Sequence, residues 1–267
     1  MIIEKTYNFL KQAYPKLVED ILIDYVQVGV FLTAVRLSDG GCGVASTLAS
    51  PPTHCQKKDR RFDDFTPTKI AGQSVKELFE NSPNNNITDT LKLAVLNAIS
   101  SGIINSGSYK VLEDTDPVDL LDLNSQKRIT IVGAFNSYIR KISETNSILK
   151  VLEFNEDTFI DEHKHYYVPA NEYKSLLPES DIIIITGLTL VNNTINGLLE
   201  VIPKESRVVL TGPSSSIVPD VLFKHNIDII GATKIHDPEM LFKVAREAGT
   251  GYHLFKYCAS KICILNE

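Results

Sequence analysis

Three short segments concentrate glycines, hydroxyls and carboxamides in a way that could hold a ligand without any charged triad. They are Ile131-Val132-Gly133-Ala134-Phe135, Thr186-Gly187-Leu188-Thr189 continuing into Leu190-Val191-Asn192-Asn193-Thr194, and Thr211-Gly212-Pro213-Ser214-Ser215-Ser216. Each follows a β-branched run and leads into a polar, helix-opening stretch. Main-chain amides at such turns, with the amides left open at a helix start, coordinate anions or hydrogen-bond carboxylates and carbonyls. Gly212 allows close approach of backbone to ligand, and the serines add donors without bulk. Helix capping is the plainer role for Asn193, Thr194 or a serine, and it accounts for one or two residues of each patch.

Gly133 ends a strand, and Glu153 stands where a nucleotide-binding sheet puts its ribose acceptor. A methyl-donor or nicotinamide cofactor would then lie on the Gly133 turn. The further glycines of that fingerprint are missing, because positions 134–138 are Ala, Phe, Asn, Ser and Tyr, and Phe135 occupies the space a pyrophosphate needs. Soft metal ligands are scattered: His54-Cys55, His163 and His165, His236-Asp237, and Cys258 with Cys263. His236 and Asp237 lead among them because they follow a strand end on the rim. A non-catalytic metal carrier would instead use His54, Cys55, His163 and His165. No Cys-x-x-Cys pair, nucleophile elbow, Walker A loop or His-Glu-x-x-His is present.

The elements that must position these turns follow from periodicity. Residues 127–235 alternate short apolar runs (129–132, 148–152, 181–185, 207–210, 227–230) with helical stretches (135–143, 171–177, 193–199, 218–225), and 238–248 closes with another helix. Continuous apolar runs mark strands covered on both faces, and the alternation predicts a Rossmann-like, mostly parallel sheet with helices on both sides. Such sheets bind at the carboxyl ends of their strands, where the three turns lie. Residues 5–14 form an amphipathic helix closed by Pro15. Residues 26–37 read as a strand that turns at Ser38-Asp39-Gly40-Gly41 into 43–48, an antiparallel meander. The polar, Pro-containing stretch 49–68 is long enough to be functional. Helices over 74–80 and 88–104 follow, the first capped by Ser74. The chain turns polar over 105–126, which places a junction between a small α+β domain (1–110) and the α/β domain (111–267).

The 267 residues, 43% hydrophobic, suffice for two such cores. The balance of 27 basic against 33 acidic residues, net −6, gives no footprint for nucleic acid or anionic membrane, so a small-molecule ligand is the expected partner. Apolar runs are too short for membrane insertion, the first residues lack a signal-peptide layout, and four unevenly spaced cysteines suit a reducing compartment. The expected location is the cytoplasm.

Val28-Gly29-Val30, Thr33-Ala34-Val35-Arg36, Gly41 and Gly43-Val44-Ala45 resemble the domain that precedes the "putative heavy-metal chelation" domain. The Thr186 to Thr194 turn, Leu210-Thr211-Gly212-Pro213-Ser214, and Ile227-Asp228-Ile229-Ile230-Gly231 with Asp237 resemble that Rossmann-like domain itself. The resemblance covers nearly the whole chain. It implies a first domain similar to the N-terminal domain of enolase, with three antiparallel strands followed by helices, and a binding cleft between the domains. It also implies a homodimer, and a role in heavy-metal chelation with no established reaction. Carried onto this sequence, the cleft includes Thr33, Arg36, Gly133, Phe135, Thr186, Gly187, Thr189, Asn192, Asn193, Thr194, Gly212, Pro213 and Ser214. Ser215-Ser216 stand where the pattern has a Thr-Pro or similar pair. The expected ligand is small, polar and anionic, either a chelator or a heavy or transition metal held through one, and the chain binds it or helps make it. Arg36 supplies the fixed positive charge.

Overall fold

The run Ile182-Ile183-Ile184-Ile185 shows why a strand covered on both faces reads as one apolar block. Ile182 and Ile184 enter one apolar cluster, Ile183 and Ile185 enter another, and all four are buried. The computed structural model describes residues 1–48, 65–83 and 85–266. Its strands are β1 (Ile23–Val28), β2 (Leu32–Leu37), β3 (Cys42–Ser46), β4 (Lys110–Glu113), β5 (Arg128–Val132), β6 (Ile148–Glu153), β7 (Tyr167–Pro169), β8 (Ile182–Thr186), β9 (Arg207–Thr211), β10 (Ile229–Ile235) and β11 (Ala259–Leu265). Its α-helices are α1 (Ile2–Ala13), α2 (Lys16–Glu19), α3 (Val75–Asn81), α4 (Asn86–Asn105), α5 (Asn136–Ser143), α6 (Tyr173–Leu176), α7 (Leu188–Val191), α8 (Ile195–Leu199), α9 (Asp220–Phe223), α10 (Pro238–Arg246) and α11 (Gly251–Tyr257).

The fold is α/β. An eight-stranded sheet has the order β4-β11-β10-β9-β8-β5-β6-β7, in which β5 to β10 run parallel and β11 and β4 are antiparallel additions. The chain steps outward from β5 to β6 and β7, then returns to the other side of β5 with β8, β9 and β10. This reversal between β5 and β8 opens a crevice at their carboxyl ends. Helices cover both faces. Tyr138, Ile139 and Ile142 of α5 pack with Ile129, Ile131 and Ile184 on one, and Leu190, Ile195 and Leu198 of α7 and α8 pack with Ile183 and Ile185 on the other.

The meander is a separate three-stranded antiparallel sheet, β1-β2-β3. The run 26–37 is not one strand but the end of β1 and all of β2. The chain reverses at 29–31, where the Gly29 amide donates to the Leu32 carbonyl at 3.0 Å. β2 is apolar on both faces because both are covered. Val35 and Leu37 join the cluster of α1 and α4, while Leu32 and Ala34 pack with Leu241, Phe242 and Ala245 of α10. The helix α4 is apolar enough by composition to cross a membrane, and 78% of that stretch is buried inside the protein, so it is a core helix. It starts two residues before the expected Thr88, with Asn85 accepting from the Ile87 and Thr88 amides at 3.0 Å each. One apolar cluster runs from Ile2 and Leu10 through α4 to Ile185 and Leu210, so residues on either side of position 110 share a core.

Periodicity missed β4, β7, β11, α2, α7 and α11. β4 lies inside the stretch expected to be a polar junction, and its four residues Lys-Val-Leu-Glu are too few and too mixed to show a period. β11 carries apolar residues on both faces with a lysine between them, and only its antiparallel pairing with β10 fixes it as a strand.

Candidate functional site

The three glycine turns are neighbours because β9, β8 and β5 are neighbours. Gly133 has φ +102°, and a Cβ on it would lie 2.9 Å from Thr186 Cγ2, so the first two turns touch. The Gly187 amide donates to the Thr211 carbonyl at 2.7 Å, and the Gly212 amide to the Gly231 carbonyl at 3.4 Å. The convergence read from the sequence is therefore present at one end of the sheet. It does not make one pocket. Two cavities that share no lining residue flank the turns, and no described residue before 117 lines either of them.

The first cavity, about 590 Å³, lies in the crevice between β5 and β8. Gly133, Thr186, Thr189, Asn192, Asn193 and Thr194 line it, together with Glu153, Phe154, Asn171 and Tyr173. Most of its hydroxyls already have partners within the turn. Thr186 Oγ1 accepts from the Leu188 amide at 3.3 Å, Thr189 Oγ1 donates to the Thr186 carbonyl at 2.7 Å, and Asn192 Oδ1 accepts from both the amide and the hydroxyl of Thr194. Glu153 does not stand free at its strand end. Its Oε2 accepts from the Ala134 amide at 3.0 Å and its Oε1 from the Phe154 amide at 2.6 Å. The chain's own carboxylate thus occupies the Ala134 amide of the Gly133 turn.

The second cavity, about 530 Å³, lies at the ends of β9 and β10. Phe135, Gly212 and Pro213 line it, as expected, and Ser137, Tyr138, Tyr252, Lys256 and Lys261 line it unexpectedly. Its lining is mainly apolar, with two lysines and a helix start among its polar groups. The Asn136 and Ser137 amides open α5 with no carbonyl behind them in the helix, the positive end of its dipole. Lys261 pairs with Asp116, which also accepts from Tyr138 Oη at 2.5 Å. Burial would raise the Asp116 carboxyl, but the hydrogen bonds from Lys261 and Tyr138 outweigh it and hold the group below its ordinary range. Lys256 pairs with no carboxylate among the described residues and lies over the Tyr252 and Tyr257 rings at 5.6 and 5.3 Å.

Four expected cleft residues, Gly187, Ser214, Thr33 and Arg36, lie elsewhere. Gly187 lines neither cavity and joins β8 to β9. Ser214 is buried and accepts from the Ser46 amide at 2.8 Å, tying the rim to β3. Ser215 Oγ donates to the Gly212 and Gly231 carbonyls, and Ser216 Oγ accepts from the Thr233 amide, so the serine run is structural. Thr33 is buried and bonded to Thr47. Arg36 corrects the charge assignment: its Nε meets Asp24 at 2.6 Å and its Nη1 meets Glu239 at 3.2 Å, beside α10 and away from both cavities. Arg36→Ala is accordingly expected to lower the melting temperature slightly and to leave ligand binding at the strand ends unchanged, measured by thermal shift with and without ligand.

The metal candidates disperse too. Asp237 caps α10 by accepting from the Met240 amide at 3.0 Å, and His236 Nε2 bonds Ser260 Oγ at 2.8 Å. His163 is buried in the 3-10 turn Asp161–Tyr166, where His165 lies against Tyr166. Burial pushes the Cys258 thiol up to about 11 and the Cys263 thiol up to about 12, so neither supplies a thiolate at neutral pH. Among the described residues no group of three or more His, Cys, Asp and Glu comes together around a metal-sized space. His54 and Cys55 lie outside the described residues. Sequence reading missed Lys256 and Lys261 because α11 and β11 were missed, and the pair Asp116–Lys261 spans 145 positions.

Comparison with known proteins agrees with this architecture. Residues 116–264 match the model of a family described as "putative heavy-metal chelation", and residues 11–100 match a second family model with the same description. An uncharacterized protein of Methanocaldococcus jannaschii is 27% identical over 174 residues, so the match spans 64% of this chain and 64% of that relative's length. A crystal structure of a DUF364-family protein of unknown function from Pyrococcus horikoshii superposes with a TM-score of 0.78 at 23% identity, covering 100% of both chains. Another of unknown function from Desulfitobacterium hafniense superposes with a TM-score of 0.73 at 19% identity, covering 97% of this chain and 100% of that one. At these identities the structures establish the shared fold.

Proposed function

The chain belongs to the family described as "putative heavy-metal chelation", and on that premise we propose that it binds a small polycarboxylate chelator, or a heavy-metal complex of one, in the 530 Å³ cavity at the ends of β9 and β10. The observation that carries this reading is that Lys256, Lys261 and Ser137 of the open first turn of α5 line the same cavity. Ammonium groups and helix-start amides are the donors that carboxylates select. The dispersal of His, Cys and acidic side chains among the described residues favours a metal held through its chelator over a metal ligated by the protein. Ser137 adds a hydroxyl to the lining, and Phe255 and Tyr252 add aromatic faces. The buried, unpaired thiols of Cys42, Cys258 and Cys263 suit the cytoplasm.

Thermal shift and calorimetry with citrate and nitrilotriacetate, each metal-free and loaded with nickel(II) or cobalt(II), test the reading. A chelator at a hundred times its dissociation constant is expected to stabilise by about 2.7 kcal/mol. Lys256→Met combined with Lys261→Met should weaken binding at least about tenfold, a loss of about 1.4 kcal/mol. Absence of stabilisation by any chelator, retention of binding in the double variant, or equal stabilisation by nickel(II) alone would overturn it. A phosphate-bearing cofactor on the Gly133 turn is disfavoured, since Glu153 already occupies the amides that would receive its phosphate.

A further inference from the structure

The crevice between β5 and β8 holds a second cavity that the chelator reading leaves unused, and its parts suit a different ligand. Its volume of about 590 Å³ is ample for a small organic molecule. In open parallel sheets this crevice is where mononucleotide units lie, with the phosphate on the first turn and the ribose beside the acid that ends the second strand. Here the acid and the turn have closed on each other. Glu153 Oε2 takes the Ala134 amide and Oε1 the Phe154 amide, so a negative charge sits where a phosphate would sit. A like charge brought to that place is repelled. The same two hydrogen bonds fix the carboxylate in position, and each of its oxygens retains acceptor capacity for hydroxyl donors.

The remaining walls fit a ring and its sugar. Phe154 lines the cavity while 74% exposed, a large apolar face with little covering it. Leu152, Pro169 and Leu188 give an apolar floor. Asn171 and Asn192 present carboxamides, and Asn192 commits its oxygen to Thr194, which leaves its Nδ2 as a donor. The Asn171 carboxamide matches the donor–acceptor edge of adenine. Gly133 brings the turn against Thr186 so closely that a side chain there would collide with it, which keeps the crevice mouth beside Glu153 open.

We infer that this cavity binds a purine nucleoside carrying no 5′-phosphate, with the ribose diol on Glu153 and the base between Phe154 and the asparagines. The inference is independent of the chelator reading, because the two cavities have no residue in common.

Isothermal titration of the full chain with adenosine, 2′-deoxyadenosine, AMP and NAD tests it. Adenosine is expected to bind, and AMP and NAD to bind at least about tenfold more weakly, the reverse of a phosphate-reading site. The 2′-deoxy analogue, which lacks one of the two hydroxyls on the carboxylate, should also lose at least about tenfold. In Glu153→Gln adenosine weakens and AMP no longer lags behind it, because the repelling charge is gone. AMP or NAD binding the unaltered protein as tightly as adenosine, equal binding of the 2′-deoxy analogue, or no heat with adenosine at millimolar concentration would overturn the inference. All three of these outcomes are read on the unaltered chain, so a Glu153→Gln protein that fails to fold leaves the test intact. Citrate should neither compete with adenosine nor respond to Glu153→Gln, which separates this inference from the chelator reading.

Discussion

Gly43→Ala is expected to lower stability by about 3 kcal/mol or more, or to prevent folding, whereas Gly102→Ala should raise it by about 0.5–1 kcal/mol. Gly43 lies in β3, which packs flat on α4. A Cβ there would stand 2.2 Å from the Ala94 carbonyl oxygen and 2.4 Å from the Ala98 amide nitrogen. Both obstacles are backbone of a buried helix, so no rotamer change relieves the overlap and the sheet must lift away from α4. That separation would open the cluster joining Val35, Ala45, Ala94 and Ala98. Gly102 sits in the last turns of the same helix with nothing within 4 Å of its ideal Cβ position. There alanine only removes backbone freedom from the unfolded chain. Denaturant titration of both variants decides the matter through the shift in midpoint at constant slope. A Gly43→Ala protein within about 1 kcal/mol of the parent would show that β3 and α4 are not packed as described.

Asp116→Ala is expected to cost about 2–3 kcal/mol at neutral pH, because it removes the partner of three groups at once. Asp116 accepts from Tyr138 Oη at 2.5 Å and from the Val118 amide at 3.2 Å, and it pairs with Lys261. The sign of the pH dependence follows from the depressed carboxyl. Its folded pKa lies below its unfolded value of about 3.8, so its contribution is fully present above that value. The contribution is lost as pH falls through the folded pKa. The stability gap between parent and variant should therefore narrow in acid, as read by denaturant midpoints from neutral pH downward. A gap that stays constant over that range would mean that the carboxylate is not charged and paired in the folded state. The same variant frees Lys261 of its counter-charge, so citrate should bind it more tightly than it binds the parent.

Much of the architecture was legible because it is locally encoded. The Ile182 to Ile185 run, the Ser74 cap and the glycine turns after β5, β8 and β9 each announce themselves within a few residues. Adjacency of Gly187 and Gly212 was legible too, since β8 and β9 are successive parallel strands, whereas Gly133 joins them because the chain returns to the other side of β5 after β6 and β7. What escaped was the partner of each polar group. Glu153 read as a ribose acceptor at its strand end, and its engagement with the Ala134 amide depends on the register that pairs Val132 with Leu152. Arg36 looked like a ligand-binding cation, and its capture by Glu239 depends on α10 docking against β2.

The amino-acid sequence by itself determined the parallel strands, the turns that end them and the side of the sheet on which they gather, because burial pattern and turn chemistry act over a few neighbouring residues. Only the tertiary structure decided that the gathering makes two cavities of opposite character, one beside an acid and one beside two lysines. The reason is that charge and cavity shape depend on contacts between distant segments. β11 brings Lys261 to Asp116 across 145 positions, and α11 sets Lys256 at the same opening. No local pattern records those approaches.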